Sequence, residues 1–174
     1  VWIGAKGIHG CTACGTCSRL GNNQCVFKDD PCNEFIAKAA EADGIVIGSP
    51  VYYAGMNGSL VSLLDRMFYA GGSVMRFKPA AGIAVARRAG TTLTVDQINK
   101  YFQINCMPLV SSTYWTVVHG RTPEEAVGDA EGMYTMRTLG TNMAWLLKCI
   151  EAGKAAGVPV PELEPGKPMT NMVR

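Results

Sequence analysis

Two apolar runs without polar alternation are the feature that most restricts the fold of this chain. Residues 45–47 and Ala81–Ala86 have the composition of strands that are covered on both faces of a parallel sheet. Each run is followed by a helical pattern of apolar residues, over Asn57–Ala70 and over Val95–Asn105. A segment rich in Val, Thr, Tyr and Trp predicts a third strand over Leu109–Val118. Strands that alternate with helices predict an α/β fold with a mostly parallel sheet.

The remaining segments complete one domain, which we predict over residues 1–157. Asn33–Ala42 places its apolar side chains on one helical face. Thr-Pro-Glu-Glu at 122–125 predicts the start of a long helix, whose first turns are weakened by glycines. Residues 158–174 contain four prolines and predict an extended tail.

Composition narrows the classes of partner. Charged residues make up 17% of the chain and the formal net charge is +2, which favours neither nucleic acid nor an anionic membrane. No apolar run approaches the ~18 residues that a membrane-spanning helix needs. The low content of charge predicts that some surface is covered by another subunit or by a cofactor. We expect a cytoplasmic protein that binds neither nucleic acid nor a membrane.

The cysteines are concentrated near the start of the chain. Five of the seven lie in its first fifth, and four of them follow the pattern C-x2-C-x2-C-x7-C, at Cys11, Cys14, Cys17 and Cys25. Short secreted scaffolds spread their cysteines along the chain instead. A zinc site, an iron–sulfur cluster, a labile disulfide and uncoordinated thiols remain open, with Cys32 as an alternative fourth ligand. Zinc is disfavoured because a second C-x2-C pair is missing.

Two unusual loops follow the predicted strands, at the edge where such sheets bind ligands. The first reads GSPVYYAGMNGSL, in which glycines allow close approach of the backbone while Tyr and Met supply flat or polarizable surface. The second reads ARRAGTT, in which two arginines and helix-capping threonines favour negative charge. For the first loop, the alternative is an ordinary turn whose aromatic residues pack into the core. For the second loop, it is a pair of arginines exposed to solvent.

Three segments, taken in order, resemble the flavodoxin-like NAD(P)H-dependent FMN reductases. They resemble in particular the cysteine-bearing branch that includes the iron–sulfur flavoproteins. The segments are GCTACGTCSRLGNNQCVFKDD, EADGIVIGSPVYYAGMNGSLVSLLDR and ARRAGTT. The resemblance runs from Trp2 to about Gly157 and is most specific in ADGIVIGSPVYYAGMNGSL.

The resemblance implies a flavodoxin-like, doubly wound parallel sheet of order 2-1-3-4-5, with FMN at its carboxyl edge and assembly into homodimers or homotetramers. By motif match, the residues that border the flavin ring are Pro50, Val51, Tyr52, Tyr53, Ala54, Gly55 and Met56. Those that flank its pyrimidine side are Arg87, Arg88, Ala89 and Gly90. A guanidinium near the anionic reduced ring raises the potential of the flavin.

The same branch holds a 4Fe-4S cluster on its compact cysteine motif. The resemblance therefore implies four metal ligands in this chain, namely Cys11, Cys14, Cys17 and Cys25. Three thiolates spaced by three residues in a loop can reach three corners of a cubic cluster.

Other reactive residues receive no role from the sequence. Cys106 and Cys149 fall on apolar helical faces and are predicted to lie in the core. Asp65 and Arg66 are predicted to form an exposed ion pair that contributes little. The two histidines are interpreted as surface or hydrogen-bonded structural residues.

One part of the family pattern is missing from this sequence. The family opens with a strand and a loop rich in Ser, Gly, Asn and Thr that binds the FMN phosphate, whereas residues 1–4 match only the end of a strand. The first strand is central in the order 2-1-3-4-5, so its absence would leave unpaired strand edges across a gap. We therefore predict a longer polypeptide with about 35–45 residues upstream of Val1.

The resemblance implies an FMN-dependent oxidoreductase. NAD(P)H or a reduced carrier would deliver electrons to FMN, and a small acceptor would receive them. No acid–base side chain is required, because the hydride chemistry belongs to the cofactor. Residues 115–119 or a partner subunit are predicted to act as a lid. The alternatives are an electron carrier between protein partners such as ferredoxin, and a binding domain that has lost FMN.

Overall fold

The computed structural model describes residues 1–3, 7–170 and 172. The helices are α1 Thr16–Leu20, α2 Cys32–Glu41, α3 Gly58–Met75, α4 Thr91–Ile104, α5 Pro123–Gly128 and α6 Ala130–Ala155. The strands are β1 Ile45–Tyr52, β2 Gly55–Met56, β3 Ala80–Ala86 and β4 Val117–His119. The predicted alternation of strands and helices is confirmed.

The strands form one sheet in the order β2-β1-β3-β4. β1 is parallel to β3, with Ile45 opposite Ala80 and Pro50 opposite Val85. β3 is in turn parallel to β4, whereas β2 is a two-residue antiparallel return of the chain beside β1. The carboxyl ends of the three parallel strands therefore meet at one edge of the sheet, and the mostly parallel α/β fold is confirmed.

Helix α3 forms the centre of the core. It begins after Asn57, whose side chain accepts hydrogen bonds from the amides of Ser59 and Leu60 at 2.9 and 3.3 Å. Such a cap contributes about 1 kcal/mol. Leu64 of α3 and Phe102 of α4 are among the most deeply buried side chains. Burial of a leucine of this kind stabilises a fold by about 1.5–3 kcal/mol.

One edge of β1 faces a groove. Over residues 45–50, the only strand that pairs with β1 in the described part of the chain is β3. The groove has a volume of about 570 Å³ and is lined by residues 1–3, by β1 and by side chains of α2 and α3. It lies along the edge of β1 that does not pair with β3. That residues precede Val1 stays a prediction.

Two predicted strands differ from the structure. The third strand was expected over 109–118, but only residues 117–119 form β4, and Leu109 makes an isolated bridge to Ala80. Residues 111–113 between them are polar and belong to no strand. Residues 1–3 form no strand and Trp2 is exposed, while Gly4 lies outside the described residues.

Two predicted helix starts also change. Gly90, with φ 87°, occupies the N-cap of α4 instead of a threonine. The long helix expected after residue 122 is divided into α5 and α6 at Asp129. The Asp129 side chain accepts a hydrogen bond from the amide of Gly132 at 2.9 Å and so caps a new helix. From the sequence, glycines were expected to weaken the first turns of this helix, and the helix is interrupted there.

No helix in the described part of the chain is long and apolar enough to cross a membrane. Residues 158–170 are exposed and contain neither helix nor strand. The division into a domain over 1–157 and a tail stays a prediction.

Candidate functional site

The loop after β1 is a tight hairpin at the carboxyl edge of the sheet. Tyr52 pairs with Gly55, and the two residues between them, Tyr53 and Ala54, have φ angles of 49° and 59°. Two consecutive left-handed residues match the two-residue turn that fits the twist of paired strands. For residues other than glycine this conformation costs roughly 1–2 kcal/mol each. Strain of this kind often accompanies functional loops.

Hydrogen bonds hold the hairpin from two sides. Gln97 of α4 accepts a hydrogen bond from the Met56 amide at 3.1 Å. The Ser49 hydroxyl accepts from the Asn57 amide at 3.0 Å and donates to the Pro50 carbonyl at 2.7 Å. Sequence reasoning missed both side chains. Gln97 could not be found locally, because it lies 41 residues from its partner.

The arginine loop touches the hairpin directly. A Cβ atom on Gly90 would lie 2.8 Å from the Ala54 Cα and 3.0 Å from the Val51 Cγ1. Only a residue without a side chain permits this approach. Arg87 and Arg88 are exposed beside the contact. The structure thus brings both predicted loops, residues 50–56 and 87–90, to one surface, which we call the rim.

The predicted flavin-binding residues differ in exposure. Those at the surface are Pro50, Tyr52, Tyr53, Ala54, Arg87, Arg88 and Ala89. Gly55 and Gly90 are partly buried. Val51 packs against the cluster of Ala84, Val95 and Val117, and Met56 is 8% exposed. Val51 and Met56 therefore support the hairpin from the core, while the tyrosines and arginines form the accessible rim.

The rim carries positive charge from the backbone as well as from side chains. Helix α4 starts here, and its N-cap Gly90 supplies no side-chain hydrogen bond to the first amides. The positive end of the helix dipole therefore adds to the two guanidinium groups. The Gly120 amide donates to the Ala86 carbonyl at 3.0 Å and brings His119 to the same edge. The sequence pattern predicted residues 115–119 only as a lid and did not place His119 beside the arginine loop.

The expected lid over residues 115–119 is wrong. Thr116, Val117 and Val118 are buried. The Thr116 hydroxyl donates to the Gly82 carbonyl of β3. This segment is part of the sheet and cannot move as a lid, since its backbone bonds hold it against β3.

The four cysteines of the motif line one cavity. It has a volume of about 120 Å³, and its other walls include Arg66 and Tyr69 of α3. The loop bends at Ala13 and Gly15, with φ angles of 53° and 67°. The structure thus brings the predicted ligand residues Cys11, Cys14, Cys17 and Cys25 to one place.

The four thiols that line this cavity are of the ligand type that iron–sulfur clusters use. No three His, Cys, Asp or Glu side chains within residues 1–3, 7–170 and 172 lie close enough to hold one metal ion. In a 4Fe-4S cluster each thiolate binds a different iron, so the ligands stand farther apart than around one zinc ion. Hydrogen bonds from the Thr16 side chain and amide lower the pKa of Cys14, which favours the thiolate.

Arg66 joins α3 to the cysteine loop, contrary to the expected surface pair. Its side chain is 1% exposed and pairs with Asp30, which is 2% exposed. Asp65 instead accepts a hydrogen bond from the Tyr101 hydroxyl at 2.6 Å. Adjacent residues point to different faces of a helix, so Asp65 and Arg66 could not pair in α3. Sequence reasoning missed Arg66 because its partners lie in a distant loop.

The carboxylate of Asp30 is held ionised. Burial alone would raise its pKa, but hydrogen bonds from Arg66 and from the amides of His9 and Cys32 outweigh burial and lower it. The same pairing raises the pKa of Arg66 against the opposing effect of burial. The loop is therefore anchored by a buried pair of opposite charges.

The three remaining cysteines do not line the cavity of the cysteine motif. Cys32 is completely buried, does not line the cavity, and burial raises its pKa to about 11. It is a core residue rather than a ligand. Cys106 and Cys149 were expected in the core, but both are exposed. Cys106 follows the end of α4 with φ 56°, and Cys149 lies on a solvent-facing side of α6.

Comparison with known proteins gives a consistent result. The chain matches the family described as NADPH-dependent FMN reductase over residues 9–122. It is 34% identical, over 84% of its length and 78% of the relative, to an iron-sulfur flavoprotein of Methanocaldococcus jannaschii. An iron-sulfur flavoprotein of Methanosarcina thermophila is 27% identical over 88% of this chain and 80% of that one.

Solved structures are similar in fold. RosB, solved with 8-demethyl-8-formylriboflavin-5'-phosphate, has a TM-score of 0.54 at 12% identity and covers 100% of this chain and 76% of its own. The Trp repressor binding protein of Bacillus subtilis has a TM-score of 0.50 at 20% identity, over 67% and 72% of the two chains. These similarities confirm the flavodoxin-like fold.

Proposed function

Because the chain belongs to the NADPH-dependent FMN reductase family, we propose that it is an FMN-dependent oxidoreductase that binds the flavin ring at the rim. One observation carries the assignment. Gly90 and Ala54 are in backbone contact, so the tyrosine hairpin and the arginine loop offer a continuous surface. Names of relatives that combine iron–sulfur and flavin support the same assignment.

The side chains at the rim would bind the ring and favour its reduced form. The ring would lie across the two loops rather than between them, since Ala54 and Gly90 already touch. Tyr52 and Tyr53 supply exposed aromatic surface, and Arg87 and Arg88 supply positive charge. Bound FMN would supply hydride chemistry. We propose NAD(P)H as the electron donor and a small organic molecule as the acceptor.

The cavity beside α1 would hold a 4Fe-4S cluster. The ligands in this proposal are Cys11, Cys14, Cys17 and Cys25, which share one cavity wall with Arg66. Seven free cysteines favour a reducing compartment, and we propose the cytoplasm.

The test uses the purified chain under anaerobic conditions. We expect FMN to bind with quenching of flavin fluorescence, and NADH or NADPH to bleach the flavin absorbance. The matched comparison is Arg87→Gln with Arg88→Gln, which keeps the fold and removes both charges. We expect this variant to bind reduced FMN about tenfold more weakly, equivalent to about 1.4 kcal/mol. Equal affinity of variant and wild type would contradict a flavin at the rim.

An electron carrier between protein partners is the second candidate. The cysteine cavity favours this function, because an iron–sulfur cluster transfers single electrons, as a carrier between proteins does. Hydride transfer from NAD(P)H to FMN needs no cluster. Bleaching by NAD(P)H followed by turnover of a quinone supports the enzyme. Reduction by ferredoxin, with no response to NAD(P)H, supports the carrier.

We also propose that the protein assembles as a homodimer or homotetramer. Helix α6 exposes Tyr134 and Trp145, which are 56% and 68% accessible. Aromatic residues are enriched at protein interfaces. We expect Trp145→Glu to lower the mass measured by light scattering, while Lys154→Glu, exposed on the opposite side of the same helix, leaves it unchanged. A monomeric wild type would contradict the proposal.

A further inference from the structure

The guanidinium of Arg66 is directed entirely at the cysteine loop. Its Nε donates to the Cys25 sulfur at 3.1 Å. One terminal nitrogen donates to Asp30 and to the His9 carbonyl, and the other donates to the Phe27 carbonyl at 3.2 Å. An arginine can direct its donors to several acceptors at once because they form a rigid fork.

The bond to sulfur is separate from the ion pair. Asp30 is already satisfied by Arg66 and by the amides of His9 and Cys32, at 3.0 and 3.1 Å. The Nε–H of Arg66 is left to point at Cys25. A hydrogen bond from a cation to a thiolate is about twice as strong as a neutral one.

Cys25 is also fixed through its backbone. The Cys25 amide donates to the Asn33 side chain at 2.7 Å, and the Asn33 amide group donates to the Cys25 carbonyl at 3.0 Å. Cys11 and Cys14 are exposed in the loop. One thiol of the cavity is therefore held in place from both α2 and α3, whereas two others lie at the surface.

We propose that Arg66 is the positioning residue of the cysteine site: it fixes the Cys25 sulfur as the preformed corner and raises the reduction potential of the cluster bound there. The inference rests on the proposed cluster. Reduction adds one electron from an external reductant and makes the cluster more negative. A cation beside a ligand sulfur stabilises that state, and hydrogen bonds to the sulfurs of a cluster shift its potential.

The experiment compares four proteins reconstituted with ferrous iron and sulfide without oxygen. They are the wild type, Arg66→Lys, Asp30→Asn and Ser73→Ala. Lysine keeps the charge but cannot serve Asp30 and Cys25 together. Asparagine keeps Arg66 but removes the opposing charge. Ser73 also joins α3 to the loop, through Asn23 at 2.7 Å, but touches no thiol. Iron and sulfide are analysed, and the midpoint potential is measured by dithionite titration with paramagnetic resonance.

The two substitutions in the buried pair have opposite expected effects. We expect Arg66→Lys to lower the midpoint potential by about 59 mV, a tenfold change in the equilibrium constant of a one-electron couple. Asp30→Asn raises the potential, and Ser73→Ala leaves it at the value of the wild type. A purely structural role for Arg66 would not produce shifts of opposite sign.

Each remaining outcome has a defined meaning. Equal potentials in wild type and Arg66→Lys overturn the inference, as does an equal shift in Ser73→Ala. If Arg66→Lys fails to fold or to retain iron, the test is the midpoint potential of Asp30→Asn. A potential equal to or below that of the wild type overturns the inference. A wild type that takes up no iron and sulfide overturns the cluster and the role of Arg66 with it, while leaving flavin binding at the rim to its own test.

Discussion

Replacement of Gly90 by valine is expected to weaken FMN binding at the rim at least about tenfold. The new Cβ would lie 2.8 Å from the Ala54 Cα, so the arginine loop and the hairpin must separate. Gly90 also has φ 87°, which costs a residue with a side chain roughly 1–2 kcal/mol. We expect the affinity for FMN, measured by fluorescence titration, to fall at least about tenfold, or 1.4 kcal/mol.

A second glycine in the same region provides the control. Gly58 begins α3, and a Cβ there would meet nothing within 4 Å. Gly58→Ala should therefore bind FMN as the wild type does. The milder Gly90→Ala should lie between the control and Gly90→Val, which guards against simple unfolding of the valine variant. Full affinity in Gly90→Val would show that contact of the two loops is unnecessary for flavin binding.

Loss of the buried cation is expected to have the largest effect on stability. Arg66→Met leaves Asp30 buried without its partner, and we expect the free energy of unfolding to fall by about 3–5 kcal/mol. The measurement is urea unfolding of the metal-free protein at pH 7. The control is Lys38→Met, which removes an exposed pair with Glu34 at 2.6 Å. Such pairs contribute roughly 0–1 kcal/mol, so a similar loss in both variants would contradict the assignment.

The same variant should change the response to acid. The pKa of Asp30 is lowered in the folded protein, so its contribution to stability is present above the unfolded value of about 3.9. That contribution is lost as the pH falls through the folded pKa. In Arg66→Met, burial dominates and the pKa of Asp30 rises, so protonation relieves the buried charge. We expect the stability of the wild type to fall as the pH drops below about 4, and that of the variant to fall less steeply. Parallel curves would rule this out.

The sheet shows how far local pattern predicts structure. The runs at 45–47 and 81–86 were predicted as strands because their apolar side chains do not alternate with polar ones, and both are strands. Burial on both faces is wrong for β1, since Val46 is 54% exposed. β1 nevertheless extends to Tyr52, through glycine, serine and proline that read as loop. The strand expected over 109–118 is only three residues long. The length of β4 depends on how many of its residues pair with β3. That pairing is decided by residues far away in the sequence, so the local pattern could not predict it.

The candidate site divides in the same way. The hairpin, the arginine loop and the cysteine motif were all visible as short segments of unusual composition. Their contacts were not visible, since Gln97 lies 41 residues from Met56 and Arg66 lies 41 residues from Cys25. Arg66 reads as a surface residue in sequence because charged side chains are rarely buried unless they are paired. Its pairing with Asp30 is made by the fold.

By itself, the sequence determined the alternation of elements, the identity of the two loops and the grouping of four thiols, because turns, periodicity and spacing act over a few neighbouring residues. Only the tertiary structure decided that Gly90 must lack a side chain, that Val51 and Met56 face the core, and that a buried guanidinium holds Cys25. Each of these depends on packing and charge between segments that are far apart in the chain. For such residues, burial contributes more to the free energy than local propensity does.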